Sequence, residues 1–112
     1  MTLKEFIKLT NRRDSLDKPR PRIVCNDGFS LSVQAGNRDL ACEPQRWVSI
    51  YKSLEIGFPS EADPILLPYV SKYNSGIYDY VPWDVVEELL EKHGGINEEK
   101  IVERYKEIHH FS

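Results

Sequence analysis

The strongest constraint on the fold is a turn signal between two β-forming runs near the start of the chain. The segment 22–34 reads RIVCNDGFSLSVQ. Its centre is an Asn-Asp-Gly turn signal, in which Gly28 is free to adopt a positive φ. After the turn, apolar and polar residues alternate, as they do in a strand that buries one face. The pattern predicts a β-hairpin over residues 22–34.

Proline positions and apolar periodicity divide the rest of the chain into short elements. A capping-box signature at Thr2 and an apolar stripe predict a first helix over residues 3–12. The other predicted elements are a candidate short strand at 40–42, a strand over 47–57 with a bulge near 52–53, a short helix after Asp63-Pro64 that contains Pro68, a strand over 77–81, and helices over 83–93 and 98–109. Short connections favour antiparallel pairing. The sequence therefore predicts one α+β domain over residues 1–112, with about four mostly antiparallel strands, helices packed on the sheet, and a C-terminal αα-hairpin.

Two details of this architecture are open to test. Alternation in the strand 77–81 predicts Tyr78 and Tyr80 on one face and Val81 on the other. The strand order, and whether 47–57 and 77–81 run parallel or antiparallel, stay open at this point. The residues predicted to be buried together are Phe29, Leu31, Val33, Val86, Leu89, Leu90, Ile101 and Tyr105.

Composition excludes several classes of protein. The chain has 112 residues, of which 40% are hydrophobic and 29% charged, as in a globular domain and unlike a disordered one. No apolar run approaches the roughly 20 residues of a membrane span, and the first residues lack the apolar centre of a signal peptide. Cys25 and Cys42 are too few for a disulfide scaffold or a closed zinc site. We expect a cytoplasmic protein that binds no membrane.

The charges are divided unevenly along the chain. The net charge is −3, but residues 1–52 carry a net charge of +4 and residues 53–112 a net charge of −7. A partly basic half tolerates anions, whereas an acidic half opposes contact with a phosphate backbone. The pattern disfavours nonspecific binding to duplex DNA. Two helices with solvent-exposed acidic faces would equally explain the negative charge of residues 53–112.

Residues that carry chemistry are present but do not form a recognisable catalytic set. A nucleophile at Cys25 or Cys42 would need a histidine base, and Cys25 follows Val24 in an apolar strand, as a core residue would. His93 lies on an apolar helix stripe. His109 and His110 are consecutive, so on a helix their side chains point in two directions. Asp79, between two tyrosines, is the most notable acid. No glycine-rich phosphate loop is present, so we expect no enzyme, no metal and no cofactor.

Arginine and aromatic residues share the β-region, which is the remaining functional signal. Guanidinium groups pair with phosphate, and aromatic rings stack on bases. The candidate ligand-binding residues are Arg20, Arg22, Arg38, Arg46, Trp47, Tyr51, Tyr78 and Tyr80, with Tyr73 nearby. The same residue types anchor protein–protein interfaces, and they also serve as core rings and solvated cations. A nucleotide pocket, a protein interface and a purely structural role all stay open.

Three segments resemble a group of small proteins encoded by phages and prophages. They are RPRIVCNDGFSLSVQA at 20–35, EIGFPSE at 55–61, and YVPWDVVEELLEKHGGI at 80–96. The resemblance implies a phage origin and expression in the bacterial host cytoplasm, and it brings no functional residues with it. The tail after Asn97 is not part of the resemblance.

Small phage proteins without catalytic motifs often act against host defence, and this analogy sets the functional hypothesis. We expect a non-enzymatic binding protein that inhibits a defence effector, in the manner of an anti-CRISPR protein, or sequesters a signal nucleotide. Its partner is then a host defence protein or that nucleotide, with a homo-oligomer left open. The alternatives are a small nucleotide-directed enzyme that uses Asp79 with a histidine, and a phage morphogenesis or regulatory protein.

Overall fold

The elements of the fold follow the order α-β-β-β-β-3-10-β-α. The computed structural model describes residues 1–10, 20–35, 43–44 and 51–101, with the backbone alone at 43–44. The elements are α1 (Leu3–Leu9), β1 (Ile23–Val24), β2 (Ser30–Gln34), β3 (Glu43–Pro44), β4 (Tyr51–Gly57), a 3-10 helix (Pro64–Tyr69), β5 (Ile77–Pro82) and α2 (Trp83–Lys92). A further helix starts at residue 98. The predicted strand at 40–42, and the parts of predicted elements at 11–12, 47–50 and 102–109, lie outside the described residues.

The hairpin predicted for residues 22–34 is confirmed. Ile23 on β1 pairs with Leu31 on β2 in antiparallel register. Gly28 takes a φ of +95°, the left-handed conformation that glycine adopts most easily. One carboxylate oxygen of Asp27, Oδ1, accepts a hydrogen bond of 2.8 Å from the Phe29 N–H and closes the turn. The turn residues therefore act as the sequence pattern indicates.

β4 is the central strand of an antiparallel sheet, which contains five strands within the described residues. β2 pairs with the second half of β4, and β3 pairs with its first half. β5 lies along the other edge of β4 and is antiparallel to it. The α+β fold class is therefore as predicted, and the open question of how β4 and β5 pair is resolved as antiparallel.

The predicted faces of β5 are wrong because the strand contains a bulge. Leu54 of β4 pairs with Val81, but Ile56 pairs with Tyr78, so two residues of β5 lie opposite one residue of β4. The inserted residue reverses the alternation, so that Tyr78 packs against the same core as the buried Val81. Tyr80, at the bulge, has a φ of +51° and is exposed. A second bulge, predicted near residues 52–53, is also present: Glu43 of β3 pairs with Ser53 and Pro44 with Tyr51, so Lys52 is an extra residue of β4 opposite β3.

The helices follow their sequence signals closely. Thr2 caps α1: its Oγ1 accepts from the Glu5 N–H at 3.1 Å, and a carboxylate oxygen of Glu5 accepts from the Thr2 N–H at 2.9 Å. The 3-10 helix starts after its N-cap Asp63 and contains Pro68. α2 ends at Lys92 rather than at residue 93.

One core holds the sheet and helices together. Seven of the eight predicted core residues are buried in it, and Tyr105 lies outside the described residues. Phe6 and Ile7 of α1, together with Leu89 of α2, are fully buried in the same cluster. Among the helices of the described segments, none is both long and apolar enough to cross a lipid bilayer.

Candidate functional site

The most concentrated group of charges surrounds His93, directly after α2. The ring atom Nδ1 lies 2.7 Å from Oδ2 of Asp27, and Nε2 lies 3.1 Å from Oδ2 of Asp63. The same Asp63 oxygen lies 3.1 Å from Nζ of Lys92. The Phe29 ring stacks on the imidazole, with ring centroids 3.8 Å apart and an interplanar angle of 9°. We call these residues the His93 cluster.

Three separate elements place these groups together. Asp27 belongs to the β1–β2 turn, Asp63 is the N-cap of the 3-10 helix, and His93 follows the last turn of α2. Gly94, with a φ of +86°, reverses the chain after His93. The side-chain amide of Asn26 donates to the Gly94 carbonyl at 2.6 Å, and the Asp27 N–H donates to the His93 carbonyl at 3.2 Å. The turn is thereby fixed against the end of the helix.

The electrostatics of the cluster favour a charged imidazole. Burial of His93 lowers its pKa, but the hydrogen bonds and charges of Asp27 and Asp63 outweigh burial, so the pKa is raised. The Phe29 N–H and then His93 lower the pKa of Asp27. Burial raises the pKa of Asp63, yet hydrogen bonds from the Ile65 N–H, His93 and Lys92 leave it lowered overall. The two carboxylates on either side of the ring therefore favour its protonated form.

The charged side chains of the cluster are bonded to one another rather than directed at a substrate. Both ring nitrogens of His93 face carboxylate oxygens, so neither is directed at a substrate. Nearby Cys25 is buried, and burial followed by the charge of Asp27 raises its pKa to about 11, which disfavours a thiolate. Among the described residues, no group of three or more His, Cys, Asp and Glu side chains is arranged to hold a metal ion.

Two of the predicted ligand-binding arginines are bonded within the fold. Arg20 is buried, and its guanidinium donates to the Ile7 carbonyl and to Thr10 Oγ1, both at 2.8 Å, and to the Ala35 carbonyl at 3.1 Å. The Arg22 guanidinium donates to Oγ and O of Ser30 at 3.0 and 3.2 Å, and to the carbonyl of Phe58. These contacts join elements of the domain, so the two groups are not arranged as a phosphate pocket.

The other predicted ligand residues are not brought into one place among the described residues. Tyr51 and Tyr78 pack partly buried against the core, whereas Tyr80 is exposed at the bulge. Arg38, Arg46 and Trp47 lie outside the described residues. A groove of about 400 Å³ does lie between the start of α1 and the end of α2. None of the predicted ligand-binding residues is among its lining residues, which are Met1, Thr2, Leu3, Glu87, Leu90, Glu91, Gly94, Gly95 and Ile96.

The most exposed large apolar side chains surround the start of β5. We call this group the apolar patch; its members are Phe58, Leu67, Val70 and Tyr73. Tyr73 is 90% exposed and Phe58 is 60% exposed. Val70, which ends the 3-10 helix, forms a β-bridge with Tyr78 of β5, and the Phe58 N–H donates to the Gly76 carbonyl just before β5. Exposed apolar groups gathered in one region indicate an interaction surface.

Phe58 is held outward by its backbone. Its φ of +47° lies in the left-handed region, which non-glycine residues rarely adopt. The Phe58 N–H donates a hydrogen bond of 2.7 Å to the Gly76 carbonyl, and the Arg22 guanidinium donates to the Phe58 carbonyl. A Cβ atom at Gly76 would lie 2.7 Å from the Phe58 ring, so only glycine leaves room for the ring here. The fold thus fixes an exposed aromatic residue in a strained conformation, a feature that clusters at functional sites.

Sequence reasoning missed both the patch and the His93 cluster. The local pattern is misleading for Phe58, because Leu54, Ile56 and Phe58 follow one alternation, which predicts a buried ring. The sequence of residues 64–70 predicts a short helix but does not indicate which of its apolar side chains face the core. No local signal pairs His93 with Asp27, which is 66 residues earlier in the chain.

The comparisons with known proteins leave the site as the main guide to function. No protein-family model, curated protein or solved structure matches this chain.

Proposed function

We propose that this chain is a non-enzymatic binding protein that engages a partner protein through the apolar patch. In the phage setting that the resemblance implies, the partner is an effector of bacterial defence, and binding inhibits it. Phe58 is the observation that carries the proposal. A left-handed conformation costs a non-glycine residue roughly 1–2 kcal/mol, and here that strain places an aromatic ring in solvent. A ring seated in a partner's pocket would compensate for the strain, as aromatic anchors do at interfaces.

The charges around the patch indicate the chemistry of the partner. Residues 57–78 contain only three charged residues, Glu61, Asp63 and Lys72, and the Arg22 guanidinium beside Phe58 donates to groups of the domain. Asp63 is buried in the His93 cluster, which leaves one exposed acid and one exposed base. A nucleic acid or a nucleotide needs several cations near its phosphates. The patch therefore fits a protein surface that offers an apolar pocket.

The competing hypotheses receive less support from the described residues. Sequestering a signal nucleotide would draw on Arg20 and Arg22, whose guanidinium groups donate to carbonyls of the domain. An enzyme that uses Asp79 with a histidine would need an available imidazole, whereas both ring nitrogens of His93 face carboxylates. Neither arrangement needs the exposed aromatic side chains of the patch.

The test combines crosslinking with affinity measurements on purified components. A photo-reactive phenylalanine analogue replaces Tyr73 in one sample and Glu88, an exposed acid of α2, in a matched control. Crosslinked bacterial partners are identified by mass spectrometry and then purified. Their affinity is measured for the parent chain and for Phe58→Ala, Phe58→Gly and Glu88→Gln.

The expected result has three parts. One protein crosslinks at position 73 and not at position 88. Phe58→Ala weakens its binding by about 30-fold or more, the loss typical of a hot-spot residue, whereas Glu88→Gln leaves the affinity unchanged. Phe58→Gly also loses affinity but is no less stable than the parent, because glycine adopts a positive φ without strain. Any of three results would overturn the proposal. They are a crosslink at position 73 to a second copy of this chain, a bound nucleotide mass without a protein, and undiminished affinity in Phe58→Ala. A phage-encoded partner would favour a morphogenesis or regulatory role instead.

A further inference from the structure

We propose that His93 is a proton-operated clasp: it strengthens the attachment of the β1–β2 turn to the end of α2, and loss of its proton releases the Asp27 side chain and weakens that attachment. The clasp goes beyond the proposed partner binding and does not depend on it. It would make the attachment of the hairpin sensitive to pH.

The clasp rests on the positions of the two ring nitrogens. Nδ1 and Nε2 lie 2.7 and 3.1 Å from oxygens of Asp27 and Asp63. An ionised carboxylate only accepts hydrogen bonds, so each nitrogen must carry a hydrogen, and the imidazole must be the cation. A neutral imidazole has a single N–H, which leaves a lone pair directed at one of the two carboxylates. That contact is repulsive and opens.

Burial decides which of the two contacts opens. The Asp63 side chain is only 4% exposed, whereas the Asp27 side chain is 47% exposed. A buried carboxylate loses more than an exposed one when a donor is removed. The remaining hydrogen therefore stays on Nε2, facing Asp63, and the lone pair of Nδ1 faces Asp27. The exposed Asp27 carboxylate can then turn toward solvent, and the turn is held to the end of α2 by the bonds of Asn26 and of the Asp27 N–H alone.

Among the described residues, His93 is the group in this cluster whose change of charge can open the contact with Asp27. Asp27 on the β1–β2 turn and Asp63 on the 3-10 helix both have lowered pKa values, so they stay ionised. Lys92 on α2 is a cation that pairs with Asp63 and not with Asp27. Cys25, at the start of the turn, has its pKa raised to about 11 and stays a thiol. A change of charge in the cluster above pH 6.5 and well below the pKa of Cys25 therefore belongs to His93.

The direction of the pH dependence follows from linkage. The carboxylates raise the folded pKa of His93 above the ordinary value of about 6.5, against the opposing effect of burial. Stability from the clasp is then fully present below about pH 6.5 and is lost as the pH rises through the folded pKa. The turn should be attached more firmly in mildly acidic solution than in alkaline solution.

Nuclear magnetic resonance on the full chain tests the clasp. The imidazole resonances of His93 are titrated between pH 5 and 9. Amide hydrogen exchange is followed at Asp27, whose N–H donates to the His93 carbonyl, and at Thr10, whose N–H donates to the Phe6 carbonyl in α1. Each rate is corrected for the intrinsic pH dependence of exchange. The variants are Asp27→Asn and, as a matched control, Asp84→Asn at an exposed acid of α2.

We expect His93 to titrate above pH 6.5 and the protection of the Asp27 amide to fall at least tenfold across that titration, with Thr10 unchanged. Asp27→Asn should lower the midpoint of the His93 titration and reduce the pH dependence of turn protection, whereas Asp84→Asn should change neither. Titration of His93 at or below pH 6.5, constant protection at Asp27, or loss of protection at the Ile65 amide instead of at Asp27 would each overturn the clasp. Should Asp27→Asn fail to fold, the parent titration and exchange data decide the question.

Discussion

Replacing Arg20 with alanine should destabilise the domain strongly, which separates a structural arginine from a ligand-binding one. The guanidinium connects the carbonyl of Ile7 on α1, the hydroxyl of Thr10 and the carbonyl of Ala35 after β2. It also lies near the C-terminal end of α1, where a cation complements the helix dipole. Removal of this side chain would leave buried acceptors without their donor and a void between helix and sheet.

The magnitude can be worked from these contacts. A hydrogen bond to a charged group contributes about 1.5–3 kcal/mol, but burial of the guanidinium offsets part of the sum from three such bonds. We therefore expect Arg20→Ala to lower the free energy of unfolding by about 3–5 kcal/mol. Arg20→Lys keeps the charge but loses the planar fork, so it should cost less than the alanine variant yet remain clearly destabilising.

Urea unfolding followed by circular dichroism provides the assay. With a slope of about 1–3 kcal/mol per molar urea, a loss of 3 kcal/mol moves the midpoint by about 1–3 M. Lys4→Ala, on the exposed side of α1, is the control and should change stability by no more than about 0.5 kcal/mol. If Arg20 served only to bind a ligand, Arg20→Ala should leave the free energy of unfolding nearly unchanged. If Arg20→Ala and Lys4→Ala unfold at the same urea concentration, the structural role is refuted.

Two further predictions concern the core. Leu89→Ala should lower the free energy of unfolding by about 2–5 kcal/mol, because Leu89 is fully buried in the common core; an effect below 1 kcal/mol in the same urea assay would contradict that packing. In a Cys42→Ser background, Cys25 should react with iodoacetamide at pH 8 only after the chain unfolds, because it is buried and its pKa is raised to about 11. Rapid alkylation of the native protein, read by mass spectrometry, would show that Cys25 is accessible.

The secondary structure and most of the core could be predicted because their causes are local. The turn at Gly28, the cap at Thr2 and the proline after Asp63 each fix the backbone within a few residues. Alternation and helical periodicity then show which side chains face inward. Leu31 and Leu89 were assigned to the core on this basis and are fully buried. One inserted residue was enough to defeat the same rule on β5, because the residues of that strand show no break in alternation that would mark the bulge.

The site depended on contacts that the sequence does not encode locally. Arg20 and Arg22 looked like ligand-binding cations until the fold placed carbonyl oxygens around them. Asp27 and Asp63 lie 66 and 30 residues from His93, so composition gave no reason to connect them.

The division between what the sequence decided and what the fold decided has one physical reason. Backbone preferences and the hydrophobic pattern act between near neighbours, and they determined the elements and which faces are buried. The partners of a polar group, and the side chains left in solvent, depend on how those elements pack together. The exposure of Phe58 and the charge of His93 were therefore decided by the tertiary structure.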